Sequence, residues 1–188
     1  IGGGGPLRGG GGGGAAAAED PEQPDFTKVE LKVGRIVRVW EHESADRLFC
    51  EEIDVGEEQP RSIASGLREH YRLEQMQDRR VVVVANLPDS KLVGFKSQGM
   101  VLAATSPETG QVELVTPPEG AAPGERVTVE GLTGEPLAAK VLKKKKVFEA
   151  VREELRTSAS CVACYRGQPL MTSAGPCTVD SVAGGTIS

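Results

Sequence analysis

Lys91, Lys96, Ser97 and Met100 fall within ten residues of one another, in a polar stretch between two short apolar runs. Two ammonium groups at that spacing can each hold a phosphate, while a hydroxyl and a soft thioether can meet a ribose or a base. Asn86 stands at the base of the stretch, and Arg35 and Arg61 in nearby apolar-periodic segments add forked donors. A second cationic group, Lys143, Lys144, Lys145 and Lys146, opens a segment of helical period and could run along an RNA backbone. Each has a plain alternative: a solvated loop, a solvated helix start, an ion pair for Arg61, a structural hydrogen bond for Asn86. Lysines at a helix N-terminus oppose its dipole, so helix stability is not what the lysine run would serve.

Other chemistries lack their parts. Cys161, Cys164 and Cys177 supply three of the four thiols a structural zinc takes, with both histidines far upstream, so small buried cores explain them better and no metal or cofactor is expected. With two histidines in the chain, of which His42 sits in a strand-end turn between Glu41 and Glu43, no arrangement of a base positioned beside a nucleophile is suggested. The glycines near the N-terminus are followed by neither Lys-Ser/Thr nor a helical pattern, so they are no phosphate cradle. A non-catalytic binding module is the expectation.

The elements that must position these residues read as mostly β. Val29, Leu31 and Val33 alternate with charged residues, Gly34 interrupts, and Val37 and Val39 resume: one long strand with a kink at the glycine. Leu48 to Val55 and Arg61 to Leu67 predict two more strands, Tyr71 to Asp78 a short helix, and Val81 to Leu87 and Met100 to Ala104 two buried strands. Three strands, a helix and two strands is the order of a five-stranded OB barrel, with the Lys91 to Met100 stretch as a long loop on its binding face. Val147, Phe148, Val151 and Leu155 mark one face of a helix from about Lys144 to Arg156, and small strands are expected around Val162, Leu170 and Val179.

Composition sets the boundaries. Residues 1–25 hold ten of the 24 glycines and an alanine run, too little apolar surface to offset ordering entropy, and read as a disordered linker. Residues 26–135 form the predicted OB domain and residues 136–188 a small C-terminal α+β domain. Net charge is −3 in the linker, −6 in the OB domain and +4 in the C-terminal domain, so a polyanion would favour the last. No stretch reaches the roughly 18 apolar residues of a membrane span. Four unevenly spaced cysteines suit a reducing cytoplasm. The chain opens on Ile1 and is read as part of a longer protein.

Several segments taken in order resemble a known family. Asp25-Phe-Thr-Lys-Val-Glu-Leu-Lys-Val-Gly-Arg-Ile36, His42-Glu-Ser-Ala-Asp-Arg-Leu48, Arg61-Ser-Ile-Ala-Ser-Gly-Leu67, Ser97-Gln-Gly-Met100 and Pro117-Pro-Glu-Gly120 resemble the tRNA-binding domain of endothelial monocyte-activating polypeptide and its relatives. Lys143-Lys-Lys-Lys-Val-Phe-Glu149 and Gly184-Gly-Thr-Ile-Ser188 resemble in particular the C-terminal appendage of animal-type cytoplasmic tyrosyl-tRNA synthetase. The resemblance implies an OB barrel whose C-terminal domain imitates the dimer interface of bacterial relatives, hence a monomer. It implies tRNA bound by shape and backbone and delivered to an aminoacyl-tRNA synthetase, in cis or in trans. It equally admits a scaffold of a multi-synthetase complex, or a released signalling polypeptide whose heptapeptide would be Lys32 to Arg38. Two positions depart from the family's pattern: Glu43 replaces a proline, and Val93 an arginine of the long loop, which predicts weaker tRNA binding.

Overall fold

A computed structural model of the chain describes residues 20–188. Most of the predicted linker, residues 1–19, lies outside the described residues. Its end is tied down: the Gln23 side-chain amide donates to the Glu135 carbonyl at 2.8 Å and to Thr27 Oγ1 at 2.9 Å. A short helix, α1 (Asp25–Lys28), then buries Phe26.

The long first strand, β1 (Leu31–Glu41), pairs antiparallel with β2 (Phe49–Asp54) on one side and β4 (Arg80–Val84) on the other. β3 (Arg61–Ser65) flanks β2, and α2 (Leu73–Met76) precedes β4. The predicted kink is displaced. Pairing steps from Ile36–Ile53 to Arg38–Glu52, so the bulge is at Val37. Gly34 serves space instead: a Cβ there would sit 2.8 Å from Ile53 Cγ2 and 3.0 Å from Val83 Cγ2. The bulge reverses which side chains face inward, so Ile36 and then Val39 enter the barrel and Trp40 is turned out.

The long loop is no loop. Ser90–Leu92 (β5) and Phe95–Ser97 (β6) form an antiparallel hairpin before β7 (Met100–Val101) rejoins β4. The sheet runs β3-β2-β1-β4-β7. Between its two edges the Gln98 N–H donates to the Ser62 carbonyl at 2.7 Å, Gln98 Oε1 accepts from the Ser62 N–H, and Ser97 Oγ accepts from the Ala64 N–H. The sheet therefore curls into a nearly closed five-stranded barrel of the predicted class. Its last predicted strand breaks at Leu102. β8 (Ala103–Thr105) leaves the barrel sheet to pair with β9 (Val112–Leu114).

Val81 to Val84 are each fully buried, and the reason is a wall with two dry faces. Val81 and Val83 pack into the barrel with Ile36, Ile53 and Ile63. Val82 and Val84, with Leu31 and Val33, face the other way onto a larger core that includes Leu142, Phe148, Leu155, Leu170 and Ile187.

That second core is shared: Phe26, Leu102, Val115 and Val127 enter it from before residue 135, and the C-terminal residues supply the rest. The lysine run does not start a helix there. Lys143 and Lys144 end α3 (Ala139–Lys144), Lys146 turns at φ 53°, and α4 (Val147–Glu153) follows. Fully buried Leu142 fixes α3's orientation, and the lysines at its C-terminal end complement the helix dipole. Beyond come β10 (Leu155–Thr157), β11 (Ala163–Tyr165), β12 (Gln168–Pro169), β13 (Met171–Thr172), β14 (Gly175–Pro176) and β15 (Thr186–Ile187). One sheet, β12-β11-β10-β15-β8-β9, runs across residue 135. Glu113 on β9 clasps the far end: its carboxylate accepts from the N–H groups of Ser181 and Val182 at 2.7 and 2.6 Å and from Ser181 Oγ at 2.8 Å. Burial would raise the Glu113 carboxyl, but these bonds and one from Gln111 hold it below the ordinary carboxylate value.

Candidate nucleic-acid interface

Val93 and Gly94 form the tip of the β5–β6 hairpin with φ of 48° and 78°, the two left-handed residues of a type I′ turn. Valine is a poor choice for that backbone, and Val93 is 61% exposed, so its own packing does not hold it. The tip is tied by His42. Nδ1 of that ring accepts from the Ser44 and Ala45 N–H groups at 3.1 and 3.0 Å, which leaves the proton on Nε2 to donate to the Val93 carbonyl at 3.0 Å. The loop after β1 and the hairpin after β4 thus brace each other, at the end of the barrel where OB folds take oligonucleotides.

On the hairpin Lys91 and Lys96 are direct cross-strand partners. Like charges so placed repel, and a bound anion relieves them. Lys96 lies 3.4 Å from Asp89, while Lys91 is exposed and has no ion-pair partner among the described residues. Between the hairpin and the β1–β2 loop opens a cleft of about 320 Å³ lined by Trp40, His42, Glu43, Ser44, Cys50 and Phe95. The Trp40 and Phe95 rings meet edge to face at 6.0 Å, and the Arg38 guanidinium lies 4.6 Å over Trp40. Burial, with Glu51 next to it, raises the Cys50 thiol, which stays protonated and unreactive.

The other predicted residues divide by burial. Arg35 is exposed on β1, 3.6 Å from Asp78 and in register with Arg80 on β4. Lys143, Lys144, Lys145 and Lys146 are all exposed, on the C-terminal part. Arg61 is spent on the fold: Nε and Nη2 grip Glu57 at 2.6 and 2.9 Å, and Nη1 donates to the Ala85 and Gln98 carbonyls. Its hydrogen bonds hold the Glu57 carboxyl below its ordinary value. Asn86 is buried, accepting from the Glu30 N–H at 2.8 Å and donating to the Lys28 and Leu137 carbonyls at 2.8 and 3.0 Å. Ser97 is 2% exposed and bonded to Ala64 and Gly99, and Met100 packs against the larger core. Asn86, Ser97 and Arg61 therefore shape the hairpin's root rather than reach outward.

Sequence reasoning passed over Trp40, Phe95 and the bracing role of His42. Trp40 falls on the inner face of an unbroken strand, and only the bulge turns it out. The segment Lys32 to Arg38 is the middle of a central strand, with Val33 and Ile36 wholly buried. Among the described residues no group of three or more His, Cys, Asp or Glu could hold a metal ion. No helix there is long and apolar enough to cross a membrane.

Residues 31–126, the barrel with its hairpin and the segment that follows, match the family model described as "Putative tRNA binding domain". The chain belongs to this tRNA-binding domain family. It is 37% identical to the C-terminal domain of Plasmodium vivax p43, with a TM-score of 0.78 over 87% of this chain and 99% of that one, so the C-terminal residues share the relative's architecture as well. It is 43% identical over 165 residues to aminoacyl tRNA synthase complex-interacting multifunctional protein 1 of Cricetulus griseus, covering 87% of this chain and 45% of that protein. It is 42% identical over 170 residues to the cytoplasmic tyrosine–tRNA ligase of Xenopus tropicalis, covering 89% of this chain and 32% of the ligase. The chain thus spans less than half the length of the complex-interacting protein and of the ligase, and a similar segment recurs in both.

Proposed function

We propose that this chain is a non-catalytic module that binds structured tRNA through its backbone and supplies it to an aminoacyl-tRNA synthetase in the cytoplasm. The observation that carries the reading is the opposed pair Lys91 and Lys96, raised on a braced hairpin at the ligand-binding end of a barrel of this family. Arg35 on the barrel and the exposed lysines 143–146 extend the contact along the RNA, where phosphate and 2′-hydroxyl recognition needs charge and shape more than base sequence. A tether to a catalytic partner gives millimolar effective concentrations over a short flexible linker, so weak binding suffices. Glu52, Asp54 and Asp78 beside the arginines temper the affinity and make it sensitive to salt.

Titration with unfractionated tRNA and with single-stranded DNA of equal length, at several salt concentrations, tests this. Tighter tRNA binding is expected, with log affinity falling linearly with log salt. Lys91→Ala and Lys96→Ala should each weaken binding to all tRNAs alike and lower the salt slope by about one. Equal or absent binding would overturn the reading. The hamster relative, whose name places it with a synthetase complex, favours a second reading as a scaffold in such an assembly. Co-purification of synthetases with a chain whose lysines have been removed would separate the two.

A further inference from the structure

The cleft beside the hairpin differs in chemistry from the cationic hairpin itself. Its walls are the half-exposed rings of Trp40 and Phe95, and its mouth carries Glu41 and Glu43. Two carboxylates there repel a phosphate, while aromatic walls accept a flat ring. The polar atoms of the lining are mostly engaged. Both His42 nitrogens are used, the Val93 carbonyl takes the His42 proton, and Glu41 Oε2 accepts from Arg68 at 3.0 Å. Glu43 alone among these charged groups has no partner among the described residues. A ligand that fits is planar and brings a hydrogen-bond donor on its edge. At about 320 Å³ the space lies at the lower end of the range for small-ligand clefts.

Resting on the tRNA-binding reading, we propose that this cleft takes one unpaired nucleobase, stacked against Trp40 and Phe95, and that Glu43 selects bases carrying an exocyclic amino group over uracil. The flanking phosphates fall to Lys91 and Lys96 on the adjacent hairpin. Adenine N6 and cytosine N4 are amino donors that a carboxylate accepts from; uracil presents two carbonyl oxygens around its one N–H, and these face the carboxylate unfavourably. Arg38 over Trp40 adds a cation that stacks as readily on a base.

Trp40 is the only tryptophan, so its fluorescence reports the cleft directly. The experiment titrates the full chain with short oligoadenylate, oligocytidylate and oligouridylate of equal length and with tRNA. It follows total binding by anisotropy of labelled RNA and stacking by Trp40 emission. Quenching should track binding, with the adenylate and cytidylate about tenfold tighter than the uridylate. Glu43→Gln should bring that ratio close to one, and Trp40→Ala should weaken all of them about tenfold. RNA bound by anisotropy with Trp40 emission unchanged, or quenching equal for all three homopolymers, overturns the inference and leaves tRNA binding standing. Absence of any RNA binding overturns the tRNA reading itself, and this inference with it.

Discussion

Glu51 lies on β2 with its side chain inside the barrel and no exposure to water. One carboxyl oxygen receives the Ser65 hydroxyl, and the other, Oε2, is buried with no hydrogen-bond partner. Burial pushes the carboxyl up from 4.5 to about 8, against the smaller opposing effect of the Ser65 bond. The folded chain therefore keeps a proton that the unfolded chain gives up near pH 4.5. Stability from this group is fully present below pH 4.5, declines as pH rises, and is lost above about pH 8. At about 1.4 kcal/mol per pH unit the whole span comes to about 5 kcal/mol, and the part lost by pH 7 to about 3 kcal/mol. Glu51→Gln keeps the shape of the protonated acid and removes the titration. Urea unfolding followed by circular dichroism from pH 5 to pH 9 should show the variant near wild type at pH 5 and more stable by up to about 4 kcal/mol at pH 8. Parallel stability curves for the two proteins across that range would refute the reasoning, because they would mean that Glu51 ionises as it does in water.

Glu113→Ala removes the acceptor of three close hydrogen bonds and should cost about 1–3 kcal/mol, with amide exchange rising at Ser181 and Val182. Since folding lowers this carboxyl, its stabilisation is present above pH 4.5 and lost as pH falls through the folded value, so the variant should show the shallower acid limb. Asn86→Ala leaves the Glu30 N–H and two carbonyls without their partner and should destabilise by about 2–4 kcal/mol, while the salt slope of tRNA binding stays as in wild type. Val93→Arg puts a forked donor at the hairpin tip and should raise tRNA affinity severalfold in the same titration; an unchanged affinity would remove the hairpin from the contact surface.

Much of the barrel was legible because its pattern is local. The alternation along β1, the short helix before β4 and the unbroken Val81 to Val84 run each declare their element, and the order of elements declares the class. What escaped depends on partners distant in the chain. A bulge at Val37 is decided by how β1 meets β2, and it alone brings Trp40 to the outer face. The lysine run reads as the start of the helix that follows it, until Leu142 turns out to need burial and draws the four residues before the run into a helix that the run ends. Asn86, Arg61 and Ser97 have side chains that suit RNA as well as they suit the backbone, and only the approach of Lys28 and Leu137 to Asn86, of Ala85 to Arg61 and of Ala64 to Ser97 decides between them. Lys91 and Lys96 stand out in the sequence by type alone, but their opposition across two strands is a matter of register.

The wall formed by β1 and β4 determines what can be carried from one protein to another. Because Val82 and Val84 are wetted by neither side, a chain cut at residue 135 would open part of the apolar strip they form with Leu31 and Val33, since Leu142, Phe148, Leu155, Leu170 and Ile187 would be gone while Leu102, Val115 and Val127 stayed. Such a fragment would have to find a cover, and a second copy offers the same strip. The portable unit is therefore the barrel together with its lid. A gene fusion that moves the two jointly carries this core intact, whereas one that moves the barrel alone leaves part of its apolar strip to be covered by something else.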